Sequence, residues 1–197
     1  MIAKLVRGTV LPLILTTGFS LGTVVAASAQ TRTSSSSASS ASSLSASDRQ
    51  FIKKAAEGGL AEVQLGQLAT EKASSPEVKQ FGQRMVDDHT KANDQLKQVA
   101  SQKGVTVPDK LSARDEATKA RLEKLSGKSF DRAYMKDMVT DHTKDVSEFR
   151  MESKNAKDPD VKNFASQTLP TLEDHLKQAK DIAPKTTTTK ASSAGSQ

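Results

Sequence analysis

All three histidines of this chain fall where a helix would face inward. His89 lies four residues after Met85 and three before Ala92. His142 lies four after Met138 and four before Val146, and His175 lies three after Leu172 and four before Ala179. Spacings of three and four place residues on one helical face. An inward stripe takes about three of every seven positions, so three random placements would all land on it only about 8% of the time. Glu62 holds the same kind of position between Gly58 and Leu65. The pattern therefore aims one metal-competent side chain inward from each of four segments. Imidazole nitrogens with a carboxylate suit Zn, Cu(II), Ni or Fe(II), whereas Mg and Ca demand oxygen. Met85 and Met138, each one turn before a histidine, would add soft sulfur and favour copper; plain core filling is the competing reading. Asp145, three residues after His142, is the nearest carboxylate on that face able to add a ligand or brace one. The metal-free alternative is a buried polar cluster in which Glu62 pairs with a histidine.

Other chemistries are poorly served. A di-iron oxidase site wants a Glu on two helices and Glu-x-x-His on two more. Here Val86 stands three before His89 and Leu172 three before His175, and one inward carboxylate is too few for two irons. The chain has no Cys, which excludes disulfides, thiolate metal sites and a Cys nucleophile. It has no Gly-rich phosphate loop, and its core offers no Ser–His–acid triad. The sequence reads as a non-enzyme.

The elements that would position these side chains are helical. Apolar residues recur at helical spacing over 48–73, 76–102, 129–155 and 159–182, and no stretch alternates as a strand would. Ser75-Pro76 and Asp158-Pro159 are cap-plus-proline starts, Ser129 is a third cap, and Gly104 and Gly127 are stops. A shorter helix, about 113–125, fits the connection between the second and third long ones. Each long helix spans roughly 35–40 Å at ~1.5 Å per residue. One long connection among short ones suits an all-α, ferritin-like four-helix bundle with a single crossover. Glu62, His89 and His142 sit roughly 13 residues into their helices and His175 about one turn further. Three groups then meet at mid-bundle, and His175 joins them if Pro170 kinks its helix. Gly58, Gly59 and Gly66 each cost ~1 kcal/mol in an exposed helix, so their recurrence points to close backbone packing.

Two internal similarities bear on the site. Pro76-Glu77-Val78-Lys79-Gln80-Phe81 is similar to Pro159-Asp160-Val161-Lys162-Asn163-Phe164, as a duplicated helical hairpin would produce. Met85-Val86-Asp87-Asp88-His89-Thr90-Lys91 is similar to Met138-Val139-Thr140-Asp141-His142-Thr143-Lys144. Duplication does not account for that second pairing, which leaves convergence on a shared inward site or chance.

The ends carry most of the charge. The 197 residues have a formal net charge of +6. Lys4, Arg7, Arg32, Lys185 and Lys190 lie outside Asp48–Asp181, where 24 basic residues face all 23 acidic ones. A near-neutral core region offers no footprint for nucleic acid. Lys4 and Arg7, the uncharged run Thr9–Val25 and Ala27-Ser28-Ala29 make residues 1–29 a secretory signal segment, with Gln30 as the mature start. A membrane anchor is the rival, since 17 apolar or small residues approach the lower limit for spanning. Residues 30–47 are almost entirely Ser, Ala and Thr and read as a disordered tether, as does the tail 183–197. The bundle is expected over 48–182.

The string Phe51…Ala56-x-Gly58-Gly59-x-x-Glu62-Val63-x-Leu65-Gly66-x-Leu68-Ala69, followed by Met85-Val86-x-Asp88-His89, Phe130-Asp131-x-x-Tyr134, Met138-Val139-x-Asp141-His142 and Leu169-Pro170-x-Leu172-x-x-His175-Leu176, resembles the domain-of-unknown-function family 4142. The resemblance covers roughly 48–182. It implies a bacterial source, a periplasmic or cell-envelope location and a ferritin-like bundle, and it implies no activity. The "outer membrane" label often given to such proteins finds no alternating barrel strands here. The leading expectation is an exported bundle, without an integral membrane span once the signal is cleaved, that binds a transition metal at Glu62, His89, His142, His175 and Asp145. Its role would lie in envelope stress or metal handling. The alternative is a non-catalytic interaction module for an envelope protein partner, with the histidines as satisfied core residues.

Overall fold

The computed structural model describes residues 44–187. The expected signal segment, most of the tether and residues 188–197 lie outside them. The chain forms α1 (Ala46–Lys72), α2 (Pro76–Gln102), α3 (Ala113–Glu123), α4 (Gly127–Asn155) and α5 (Pro159–Thr187), with no strand among the described residues. The expected four-helix bundle is present, and α3 is the short extra helix of its long connection. Turns of three residues, 73–75 and 156–158, force α1–α2 and α4–α5 into antiparallel hairpins. The two hairpins meet through α2 against α5 and α1 against α4.

Local chemistry sets most boundaries. Ser45 Oγ accepts the Asp48 amide at 3.1 Å to cap α1, and Ser112 Oγ accepts the Asp115 amide at 3.2 Å to cap α3. Pro76 and Pro159 open α2 and α5, where a missing N–H costs nothing. Two boundaries differ from expectation. Ser129 lies inside α4, because Gly127 turns the chain with a φ of +58° and the helix starts there. α5 runs on past 182, since Ile182 and Ala183 pack against a core cluster and Lys185 pairs with Glu77 at 3.2 Å.

Each hairpin turn is clamped by a buried carboxylate from the other hairpin. Asp48 of α1 accepts the amides of Lys157 and Asp158 at 3.2 and 2.8 Å. Asp131 of α4 accepts the amides of Ser74 and Ser75 at 3.0 Å each, and the Ser74 hydroxyl at 2.6 Å. These carboxylates satisfy orphan amides at the starts of α5 and α2, where a helix dipole also favours negative charge.

The core divides into two apolar halves. One is built around Phe51, Ile52, Leu96, Phe149 and Phe164; the other around Leu65, Val78, Phe81, Phe130, Tyr134 and Met138. On every long helix one polar residue falls in the sequence gap between the halves: Glu62, His89, His142 and His175. All four are buried. No helix among the described residues is long and apolar enough to cross a membrane.

The glycines of α1 separate into two kinds. A Cβ on Gly66 would stand 2.7 Å from the Gly82 carbonyl oxygen and 3.1 Å from Met85 Cβ, so α1 and α2 are in backbone contact there. Beside Gly58 nothing lies within 4 Å of such a Cβ. Chemical denaturation should therefore find Gly66→Ala destabilised by about 1–3 kcal/mol. Gly58→Ala should be neutral or stabilised by up to about 1 kcal/mol.

Candidate metal centre

The three histidines meet in the polar layer. His89 and His142 have ring centroids 5.7 Å apart, and His175 lies 5.4 Å from each. One ring nitrogen from each can be chosen so that all three lie within 4.8 Å of one another. His175 therefore stands with the other two despite its later position in α5, which is helical through Pro170. Both members of the Met-Val-x-Asp-His-Thr-Lys repeat contribute to this one place.

Each imidazole keeps one buried nitrogen without a hydrogen-bond partner: His89 Nε2, His142 Nε2 and His175 Nδ1. Two of the opposite nitrogens are committed. His142 Nδ1 lies 3.0 Å from the Met138 carbonyl oxygen, which can only accept, so Nδ1 carries the proton and Nε2 the lone pair. His175 Nε2 lies 2.7 Å from Asp88 Oδ2. Burial alone would raise the Asp88 carboxyl, but the hydrogen bonds from His175 and Arg84 outweigh it and hold it below its ordinary range. That ionised carboxylate accepts, so His175 donates from Nε2 and leaves Nδ1 bare. A ligand histidine braced in this way through its other nitrogen is the usual arrangement at metal sites.

Burial keeps the trio uncharged. It pushes His142 down to about 3, with the neighbouring His175 adding to the effect. It drives His89 well below the ordinary imidazole value, helped by both other histidines. For His175 burial again dominates over the opposing pull of Asp88. Neutral imidazole is the form that binds metal. Ligand nitrogens around an ion at ~2.0–2.1 Å would be roughly 3.3–3.6 Å apart, so a small inward rotation closes the cage.

The expected carboxylates occupy different places. Glu62 Oε1 lies 3.6 Å from His142 Nδ1, too far for a hydrogen bond to a proton already given to Met138. Its Oε2 is buried without a partner. Burial first, then Asp145 and Asp141, raise the Glu62 carboxyl well above the ordinary value, so Glu62 and His142 do not form an ion pair. Glu62 does not join the histidine trio within the same distance; it lies at its edge. Asp145 is half-buried on the wall of an adjoining cavity of about 260 Å³ that Glu62 and His89 also line. Burial, reinforced by Asp141 and Glu148, lifts Asp145 to about 7. Met85 and Met138 are buried in the apolar half beside the histidines.

Two neighbours went unnoticed in the sequence. Asp88 was visible as the residue before His89, but its partner is His175, which only the packing of α2 on α5 reveals. Tyr134 is buried with an unpartnered hydroxyl, and burial together with Glu62 raises it well above its ordinary value.

The sign of these shifts fixes a pH dependence. Depressed imidazoles mean that the unfolded chain binds protons which the folded one refuses. Metal-free protein therefore loses stability as pH falls from 6.5, the ordinary histidine value, toward about 3 for His142. A raised carboxyl works in reverse: Glu62 withdraws stability as pH rises above 4.5. Thermal melts of metal-free Glu62→Gln should run above wild type at about pH 8, with the gain vanishing near pH 4.

The chain belongs to the family described as "Domain of unknown function (DUF4142)", which matches residues 33–182. No curated protein matches it in sequence. Among solved structures it is similar to a DUF305 fragment from Deinococcus radiodurans, with a TM-score of 0.64 at 15% identity over 72% of this chain and 98% of that one. It is also similar to CopM in the Cu(I)-bound form, with a TM-score of 0.59 at 18% identity over 70% of this chain and 96% of that one. CopM in the Ag-bound form gives a TM-score of 0.58 at the same identity and coverage. At such identities the likeness is one of fold.

Proposed function

We propose that this member of the DUF4142 family holds one transition-metal ion between His89, His142 and His175, as an exported metal-handling protein of the cell envelope. The observation that carries the reading is the convergence of three buried, neutral imidazoles, each with a nitrogen that nothing in the protein satisfies. Leaving buried acceptors bare costs about 1–3 kcal/mol each; a bound cation offsets that loss. Glu62 stands close enough to the cage edge to serve as a fourth ligand after a side-chain rotation, and Asp145 supplies charge one step further out. An all-nitrogen cage suits Zn, Cu, Ni or Fe. Copper has added support from the similarity to CopM, solved with Cu(I), Cu(II) and Ag, and from the buried Met85 and Met138.

Export rests on the charged start, apolar run and Ala27-Ser28-Ala29 of residues 1–29. The near-neutral bundle fits a role performed in its interior. Handling of a metal, or relief of envelope stress caused by one, needs no turnover of a substrate.

Titration of the purified mature chain with Zn, Cu, Ni and Fe(II) should raise its melting temperature for at least one metal, because an ion that binds only the native state stabilises it by mass action. His89→Ala with His142→Ala should abolish that shift. The reading is falsified if no metal raises the melting temperature or if the double variant keeps the shift. Asp88→Ala frees the His175 ring from its brace, and should weaken affinity for the same metal about 10–100-fold by competition with a chelator. An unchanged affinity would deny Asp88 its positioning role.

A further inference from the structure

A cage buried this deeply needs a way in. His142 and His175 have no exposed surface and His89 only 7%. On the α2–α5 side the way is closed: Arg84 bridges Asp88 at 3.1 Å and Asp174 at 2.7 Å directly outside His175. On the α1–α4 side lies the cavity of about 260 Å³, lined by α1, α3 and α4 and also by residues of α2 and α5. Two of its lining residues are more than nine-tenths buried and carry a polar atom without a partner, Glu62 at Oε2 and His89 at Nε2. Of the cage, only His89 lines this cavity.

The outer wall of the cavity is acidic. Asp141, Asp145 and Glu148 follow one face of α4, Asp115 comes from the first turn of α3, and Glu57 from α1. Three basic side chains, Lys54, Arg114 and Lys144, line it too. Leaving aside Glu62, whose carboxyl burial raises well above its ordinary value, acidic side chains outnumber basic ones five to three, in a core region that is otherwise close to neutral. Carboxyl groups crowded without enough counter-charge repel one another, and a cation among them relieves that repulsion. A cleft in which one sign of charge prevails also concentrates ions of the other sign and speeds their capture.

We propose that this cavity is the loading route of the histidine cage: a hydrated transition cation is collected by Asp141 and Asp145, exchanges a water ligand for the Glu62 carboxylate, whose proton leaves with that water, and passes through His89 to the trio. The proposal rests on the metal-binding reading above and adds the direction and the residues of access. Asp141 and Asp145 are exchange sites for a hydrated ion, while the imidazoles are its destination. Arg114, 73% exposed and 3.8 Å from Asp141, is a counter-charge at the mouth that slows arrival.

The experiment follows loading of the mature chain by stopped flow, with Zn(II) delivered from a weak chromophoric indicator. Asp141→Asn with Asp145→Asn should load about tenfold more slowly at low salt. Arg114→Gln, an exposed exchange with little bearing on folding, should load two- to threefold faster. Roughly 0.5 M NaCl should shrink both differences. Asp87→Asn with Asp94→Asn, equal in charge but on the exposed face of α2, should load as wild type. Should the cavity double variant fail to fold, Arg114→Gln and the single Asp145→Asn decide between the outcomes. Wild-type loading rates in the cavity variants, or equal slowing by the α2 pair, overturn the route and leave the cage standing. A wild-type chain that takes up none of Zn(II), Cu(II), Ni(II) and Fe(II) at equilibrium overturns both.

Discussion

Three imidazoles with bare nitrogens in a buried layer are the constraint around which this bundle is arranged. A polar atom buried without a partner is costly, and the cost rises where the surroundings are apolar on both sides, as they are here above and below the layer. The protein does not relieve it. Instead it fixes two of the rings so that their protons point away: His142 donates to the Met138 carbonyl and His175 to Asp88. The lone pairs are thereby held toward one another. Burial keeps all three rings uncharged, so mutual repulsion of imidazolium ions never arises and the layer stays ready for a cation.

Holding the layer level is the task of the rest of the fold. Each tight turn is gripped by a carboxylate of the opposite hairpin, Asp48 on the α4–α5 turn and Asp131 on the α1–α2 turn. These reciprocal clamps set the axial register of one hairpin against the other, which is what brings residues from α2, α4 and α5 to one height. The Gly66–Gly82 contact draws α1 against α2, closing the bundle immediately beside Met85. The long connection has a use as well, since α3 lies over the α1–α4 side and supplies Ser112, Arg114 and Asp115 to the cavity that reaches the layer.

Much of this was legible from residue spacing. Helical periodicity, proline starts and the short turns determine the four long helices, and the His89, His142 and His175 stripe positions announce the layer. What spacing could not supply is anything that depends on which helix faces which. His175 looked one turn out of level because axial height was counted along single helices, whereas the clamps and the antiparallel hairpins set it between them. Glu62 shares the stripe with the histidines, but spacing could not show that it sits at the edge of the trio, 3.6 Å from a His142 Nδ1 whose proton goes to Met138. Asp88 stands beside His89 in the sequence, yet it braces a histidine 87 residues away. The end of α5 reads as a Thr- and Pro-containing tail, and only the packing of Ile182 and Ala183 on the lower core explains why the helix continues.

The central claim is that His89 and His142 meet a metal through Nε2 and His175 through Nδ1. Nitrogen-15 NMR of the mature chain labelled at histidine tests it most directly, because the sequence has only three such residues and both Zn(II) and Cu(I) are diamagnetic. Before metal, His142 should show a protonated Nδ1 and His175 a protonated Nε2, and all three rings should be neutral at pH 7. One equivalent of the bound metal should move the resonances of His89 Nε2, His142 Nε2 and His175 Nδ1 together and leave the two protonated nitrogens in place. Three rings that keep their metal-free resonances, or a His175 bound through Nε2, would contradict the account.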